Sequence, residues 1–420
     1  MNYTEIFGEI VKIMQNDSAT CKDFGAGDFE KYKSQITDDM DRMDFLHLAQ
    51  DYLSTFKVYG HLRLSDNTLG AMGFSVKRYE DALYVVSASE DTDLSAGDMI
   101  VAIDSKPISE IADKEKNFFM DEINERQGEM WYDVLKFYKS VTVKGKDGST
   151  REVALIHGST GKKSEKYSFK KFSDETLYLK FKDFADVEAI NALYEKCAEA
   201  LEGCRFLIVD VRGNAGGADA AFFPLIKYAY PEGVSFSDYE KTMYPIEINF
   251  SDRNCDERLA LLKRFFGDNV PEEAKPMVDK MLGELEENRG KGFVISIDNS
   301  GENIVGRKSP EKVFVITDEG CVSSGEAFVE AMAFSSRVEV VGRPTGGIID
   351  YSNLNFVQLD DFTLAYPTSR DTRIDQGKGV GQKGVPVDHY IPWSPESIGQ
   401  DPELDYILSE INGLSPQTGI

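Results

Sequence analysis

Apolar residues recur at three- and four-residue steps through the first sixty positions. Leu46, Ala49, Leu53 and Phe56 mark a single helix face, so this segment is predicted to be helical. The period changes near Gly60. From about 70 to 157 the chain runs as short β-like stretches, MGFSV, ALYVV, DMIVAID, VTVKG and REVALI, parted by Gly, Asp and Ser turn signals. One helical stretch, Ile108 to Tyr138, interrupts them. A polar segment, GSTGKKSEK, begins at Gly158 and marks a domain boundary.

Beyond that boundary the pattern is α/β. TLYLKF reads as a strand. Asp186 is placed to cap a helix whose Ile190, Leu193, Tyr194, Cys197, Ala198 and Leu201 form an apolar stripe. FLIVDV is almost wholly apolar, as a strand buried on both faces must be. The Gly-rich RGNAGG follows, then a helix from Ala218 to about Tyr230. Residues 233–310 have the character of an insertion. Charges of both signs fill 252–291 at helical spacing, which predicts a solvated helical excursion, with a substrate-gating lid as the other reading. KVFVITD returns as a buried strand, EAFVEAMAF as a helix and VEVVG as a strand. NFVQLD and FTLAYPT form a hairpin. There are no repeats and no low-complexity tracts.

A chain of 420 residues has room for two or three domains. Its 47 Lys and Arg against 73 Asp and Glu give a net charge of −26. Such a surface repels phosphate backbones and anionic membranes, so neither nucleic acid nor a membrane is expected as partner. No apolar run reaches 18 residues. The start, MNYTEIFGEIVKIMQND, lacks the features of a signal peptide, which makes the cytoplasm the expected location. The five scattered cysteines, an odd number, argue against a disulfide framework. Four histidines and no CxxC pair argue against structural zinc, and no cofactor is expected.

Two segments carry chemistry. CVSSGEAFVEAMA follows a buried strand and opens a helix, which exposes Ser323 or Ser324 near the positive end of a helix dipole. The structural alternative is an N-cap, with Glu326 closing a capping box to Ser323. DVRGNAGG, residues 210–217, also ends a buried strand, and its glycines free backbone N–H groups to bind an anion; a plain tight turn is the alternative. It is neither a P-loop nor a dinucleotide fingerprint. Cys321 reads as a small buried residue rather than a rival nucleophile. Arg370 and Arg373 suit either a substrate carboxylate or surface ion pairs, and ion pairing is the expected role.

The order DVRGNAGG, SSGEAF, VVGRPTGG and KGVPVD resembles the C-terminal processing peptidases and the tricorn core protease over roughly residues 40 to 410. The resemblance implies an α/β fold: a crotonase-like (ClpP/crotonase) catalytic core at 165–420, an N-terminal helical segment at 1–65 and a small PDZ-like β domain at 66–158. In that domain MGFSV resembles the carboxylate-binding strand and LSAGDMIVAIDSKPI the following turn. By position Ser323 matches the nucleophile. The N–H of Ser324 matches one oxyanion donor, and that of Gly216, or Gly217 beside it in the substrate cleft, the other.

The base departs from the commoner pattern. Where those peptidases carry a lysine after VGxPTxG, this chain has Ile348. His61 in YGHLRL matches the histidine of the tricorn-like branch, and neutral imidazole suits the task near pH 7. Asp350 is assigned as its acidic partner from loop position. His47, His157 and His389 read as structural. Met72, Gly73 and Phe74 are assigned to a peptide C-terminus bound by strand addition. The implied function is a serine endopeptidase acting on peptide or unfolded protein through an acyl-enzyme. A non-catalytic binding protein on the same scaffold is the main alternative, and a crotonase-like acyl-CoA enzyme a weaker one.

Overall fold

A strand without polar positions has to be covered on both faces. The strands Phe206–Asp210 and Lys312–Thr317 are buried along almost their whole length. In this computed structural model, which describes residues 1–119, 123–128, 130–145, 147–159, 165–267, 270, 272, 274–296 and 304–414, they are the centre of a six-stranded sheet. Its order is His389–Tyr390, Val338–Gly342, Lys312–Thr317, Phe206–Asp210, Thr176–Phe181, Tyr167–Lys171. All are parallel except the last. Alternation sends Leu207, Val209, Val313 and Val315 to a face covered by the helices Val187–Gly203, Phe223–Ala229 and Ser324–Ala333. It sends Phe206, Ile208, Phe314 and Ile316 to the helix Pro402–Leu414. Asp186 caps its helix as predicted, accepting from the Ala189 N–H at 3.0 Å.

The five β-like stretches between 70 and 157 form a separate antiparallel sheet in the order Phe74–Tyr79, Ala82–Ala88, Met99–Ile103, Ser140–Lys144, Thr150–Ala154. The single helix expected from Ile108 to Tyr138 is broken. Helices Ile108–Lys114 and Met130–Leu135 flank two 3₁₀ turns. Phe118 and Phe119 are both buried, and successive residues of an α-helix do not share one core face. Residues 160–164 of the boundary segment lie outside the described residues.

A third sheet corrects two readings. The hairpin Tyr351–Leu359 and Phe362–Asp371 takes Arg63–Asp66 and Ile246–Phe250 on its second strand, and Gly292–Ser296 beyond. The N-terminal helices Tyr3–Asn16 and Arg42–Ser54 pack on this sheet, sharing a core with Leu359, Phe362, Leu364 and Tyr366. The insertion is not purely helical. Its helices Asp252–Phe266 and Lys275–Asn288 are bracketed by IEINF and GFVIS, two strands too short to stand out among the charges. Among the described residues no helix is long and apolar enough to cross a membrane.

Arg370 does form ion pairs, but not on the surface. Its side chain is wholly buried, held by Asp23 at 2.8 and 3.0 Å, Glu247 at 2.7 Å and Asp375 at 2.7 Å. It ties an N-terminal helix, the insertion and the C-terminal hairpin together. Removing one partner of a buried ion pair costs about 3–5 kcal/mol, and the lower end applies here because Asp375 is exposed, Glu247 keeps Lys22 and Asp23 keeps the Tyr351 hydroxyl. Arg370→Ala should therefore lower the unfolding free energy by roughly that amount. Urea denaturation followed by circular dichroism measures it, and a midpoint equal to that of the wild type would refute the role.

Candidate active site

The strand Lys312–Thr317 runs into a six-residue turn that ends at Ser323, and the helix Ser324–Ala333 starts at once. Of the predicted capping box the Glu326 arm is formed, its carboxylate accepting from the Ser323 N–H at 3.2 Å, while the Glu326 N–H donates to the Ser323 carbonyl at 2.8 Å rather than to its hydroxyl. Capping alone does not account for the backbone, however. An N-cap residue normally sits in the extended region, whereas Ser323 is at φ 57°, ψ −125°. A non-glycine residue there stores on the order of 1–3 kcal/mol of strain.

The Gly-rich turn after Phe206–Asp210 meets this serine. A methyl carbon on Gly216 would stand 2.7 Å from Ser323 Cβ and 3.2 Å from its Oγ, so only glycine admits the approach. Asn214 stitches the two loops. It is fully buried, its carbonyl accepts from the Val322 N–H at 2.9 Å, and its Nδ2 donates to the Phe181 carbonyl at 3.1 Å. Its Oδ1 accepts from the Gly216 N–H at 2.9 Å. That bond corrects the expected donor: the Gly216 amide is already paired. Phe184 N–H donates to the Gly216 carbonyl, and Ala218 N–H to that of Phe184, in a parallel bridge. The intervening Gly217 amide therefore faces away from Phe184. Among the described residues the N–H groups of Gly217 and Ser324 have no hydrogen-bond partner. They are the two amides left for an oxyanion. The Ser324 hydroxyl donates to Asp219, which joins the start of this helix to the same loop.

His61 is buried, 6 % exposed. Its Nδ1 lies 2.5 Å from the Tyr351 carbonyl. A carbonyl only accepts, so neutral His61 carries its proton on Nδ1 and keeps the lone pair on Nε2. Burial pushes its pKa below the ordinary histidine value; the Tyr351 carbonyl opposes the shift, Arg63 adds to it, and the Ile348 carbonyl also opposes it. Among the described residues no hydrogen bond joins His61 to Ser323. The partner role given to Asp350 does not hold either. Its carboxylate accepts from Arg373 Nε at 2.8 Å and the Gly381 N–H at 2.7 Å, and the group orienting His61 is a backbone carbonyl.

Glu326 connects the two halves. Fully buried, its carboxylate accepts from the N–H groups of Ser323 at 3.2 Å, Gly347 at 2.7 Å, Ile348 at 2.9 Å and Ile349 at 3.0 Å, and from Thr345 Oγ1 at 2.7 Å. The same loop turns carbonyls outward. Those of Thr345 and Gly346 accept from Arg126 of the small domain at 3.0 and 3.1 Å. Glu326 was legible in sequence only as a cap, and nothing marked Asn214 or Arg126.

Other predicted residues fall away from the chemistry. Cys321 is fully buried, and burial pushes its thiol well above the usual range, which removes it as a nucleophile. Ile348 packs in the core of the small domain. Arg373 is enclosed by Glu330 at 2.5 Å, Asp350 at 2.8 Å and Asp371 at 3.3 Å. His389 stacks on Tyr406, His157 contacts the Lys136 carbonyl, and His47 binds Glu115 at 2.8 Å. In the small domain Phe74–Tyr79 is an edge strand. The turn before it is filled by its own chain: Met72 N–H donates to Tyr132, and the Gly73 carbonyl accepts from the Ser89 N–H and Oγ. Lys77, on that strand, reaches Asp318 at 3.3 Å and Glu319 at 2.5 Å in the turn before Ser323. Asp318 Oδ1 accepts the Gly213 and Gly320 N–H groups. Burial opposes its charge, but Lys77 and Arg343 hold its carboxyl far below the usual range.

Residues 175–391 match the model of peptidase family S41. In fold the chain is similar to mature CPAF in complex with lactacystin, with a TM-score of 0.65 at 13% sequence identity over 98% of both chains. Mature CPAF without that ligand gives 0.64 at 13% over 100% of this chain and 99% of the other. The photosystem II D1 C-terminal processing protease aligns over 94% of each chain at 14% identity with a TM-score of 0.48. No curated protein matches.

Two predictions follow from the geometry. Gly216→Ala should leave a folded protein with at least tenfold lower kcat, and losing an oxyanion donor outright costs about 10²- to 10³-fold; steady-state kinetics with a circular dichroism control reads both. Asp371 titrates high, near 6, because of burial, with Asp350 and Glu330 adding to the rise and the Arg373 amide and charge opposing it. Between the usual carboxylate range and pH 6 the native state then holds a proton that the unfolded chain has lost, so this group makes stability fall as pH rises. The Tm of Asp371→Asn relative to wild type should climb from pH 4 to 6 and level off above. A difference constant across that range would contradict the assignment.

Proposed function

This chain belongs to peptidase family S41, a family of serine-type hydrolases, and we propose that it is an endopeptidase of the tricorn-like or C-terminal processing type. Ser323 is the nucleophile and His61 the general base. The parallel-sheet unit is read as a crotonase-like core and the antiparallel sheet of residues 74–154 as a PDZ-like domain. The observation that carries the reading is the strained Ser323 facing a glycine turn, with the unpaired amides of Gly217 and Ser324 to either side.

Ser323 Oγ attacks the peptide carbonyl while His61 Nε2 takes its proton. The developing oxyanion is held by the Gly217 and Ser324 N–H groups. Collapse passes the proton from His61 to the leaving amine and leaves an acyl-enzyme on Ser323. Water, deprotonated by the same nitrogen, then releases the acid and frees Ser323. Both base steps need the neutral Nδ1–H tautomer, which the Tyr351 carbonyl selects, and in the acid steps the same carbonyl keeps accepting from Nδ1–H of the imidazolium. Bonds between base and nucleophile are often long before substrate binds and tighten in the complex. The small domain is assigned to capture of a peptide C-terminus by strand addition; with the turn at Met72 and Gly73 occupied by its own chain, the edge strand Phe74–Tyr79 is the place left for it.

A non-catalytic peptide-binding protein on the same scaffold is the second reading. It is favoured by the buried Ile348 at the lysine position and by the absence of a His61–Ser323 bond among the described residues. A fluorophosphonate probe separates the two. The peptidase is labelled on Ser323, Ser323→Ala is not, and Ser324→Ala keeps most of the labelling because its hydroxyl binds Asp219 rather than the reacting group, which only its amide faces. No labelling of the wild type would select the binding protein.

The pH profile follows from His61. Because burial lowers its pKa, kcat/KM should rise through an apparent value below the ordinary 6.5, and His61→Ala should lose that limb with most of the activity. A limb well above 6.5, or activity that survives His61→Ala, would move the base elsewhere.

A further inference from the structure

We propose that Glu326 is a positioning residue for the reaction: its buried carboxylate holds the Ser323 backbone and the loop that orients His61 in one fixed relation. The inference rests on Ser323 and His61 being nucleophile and base.

The argument begins with donors and acceptors. All five groups around the carboxylate donate: the N–H of Ser323, Gly347, Ile348 and Ile349, and the hydroxyl of Thr345. An ionised carboxylate has about four lone-pair sites on two oxygens, so these donors saturate it: Oε1 takes Thr345 and Gly347, and Oε2 takes Ile348 and Ile349 and shares with the longer bond from Ser323. A protonated acid or an amide would turn a donor toward an N–H and lose bonds on that side. Thr345 Oγ1 is free to donate because it in turn accepts from the Val385 N–H at 2.7 Å. The site therefore calls for a charged carboxylate, although burial and Glu330 push its pKa up against those donors. The other titratable group facing it is Cys321, on the turn before Ser323.

A helix cap needs only the Ser323 arm of this arrangement. The remaining four bonds go to a loop that follows the strand Val338–Gly342 and makes no part of the helix. That loop supplies the Ile348 carbonyl that faces the His61 ring and leads directly into the strand whose first residue, Tyr351, holds His61 Nδ1. On its other side Ser323 sits in a backbone region that it would leave if released. One carboxylate thus sets the elbow of the nucleophile and the seat of the base together, without touching substrate.

The test is the rate of fluorophosphonate labelling of Ser323 per folded molecule, with the folded fraction taken from near-UV circular dichroism. A residue that merely supports the fold changes the folded fraction and leaves this rate alone. Glu326→Gln, nearly isosteric, should label at least tenfold more slowly per folded molecule. Thr345→Val removes one of the five donors and should slow labelling several-fold, whereas Thr345→Ser keeps the hydroxyl and should restore the wild-type rate. Wild-type labelling in folded Glu326→Gln would overturn the proposal while leaving Ser323 as nucleophile. If Glu326→Gln does not fold, equal rates for the two Thr345 variants would overturn it. An unlabelled wild type would instead sink the peptidase reading, and the proposal with it.

Discussion

A buried carboxylate that has five donors and, among the described residues, no cation beside it can exist only if the backbone is shaped around it, and Glu326 imposes that condition on the catalytic half of the molecule. The loop 345–349 must turn the Gly347, Ile348 and Ile349 amides inward. Its Thr345 and Gly346 carbonyls are presented outward to Arg126, and the chain then enters the strand whose Tyr351 carbonyl holds His61. The Ser323 amide must also point at the carboxylate, which helps to keep the serine at positive φ. The turn at Ser323 and the loop 345–349 are thereby held to one geometry by a single charge.

Around this centre lies a second set of buried charges. Lys77 on the edge strand of the small domain pairs with Asp318 and Glu319, Glu319 with Arg343, Arg343 with Glu403, and Glu403 with Arg212, which also binds Asp210 and Asp401. Such chains contribute little net stability, because the attraction roughly offsets the desolvation of each ion. Their effect is geometric. Asp318 accepts the Gly213 and Gly320 amides, so the edge strand of the small sheet, the Gly-rich turn and the turn leading to Ser323 share a fixed set of contacts. Arg343 and Arg212 extend those contacts to the C-terminal helix that covers the outer face of the parallel sheet.

Much of this molecule was legible in its sequence because the signals were local. The apolar strands FLIVD and KVFVIT, the helix stripe from Ile190 to Leu201, the cap at Asp186 and the five strands of the small sheet each depend on residues a few positions apart. The order of the Gly-rich turn and the SSGEAF turn, through its resemblance to known peptidases, singled out the segments proposed as nucleophile and oxyanion loop, and both do follow a buried strand. The resemblance also pointed to His61 as the candidate base, and the inert character of Cys321 could be argued from residue type.

What only the tertiary structure decided were the hydrogen-bond partners, which no spacing encodes. Gly216 and Gly217 are equivalent glycines in sequence, yet the Asn214 side chain pairs one amide and the bridge to Phe184 turns the other outward. Asp350 looked available as an acid, but Arg373 and the Gly381 amide claim it. Arg370 read as a surface charge because its three carboxylate partners come from positions 23, 247 and 375. IEINF and GFVIS become strands only because the hairpin near the C-terminus offers them an edge. Propensity and periodicity act over a few residues and so can be read along the chain. Pairing of buried polar groups is settled by whichever partners the fold brings within about 3 Å, and that is a property of the packed molecule alone.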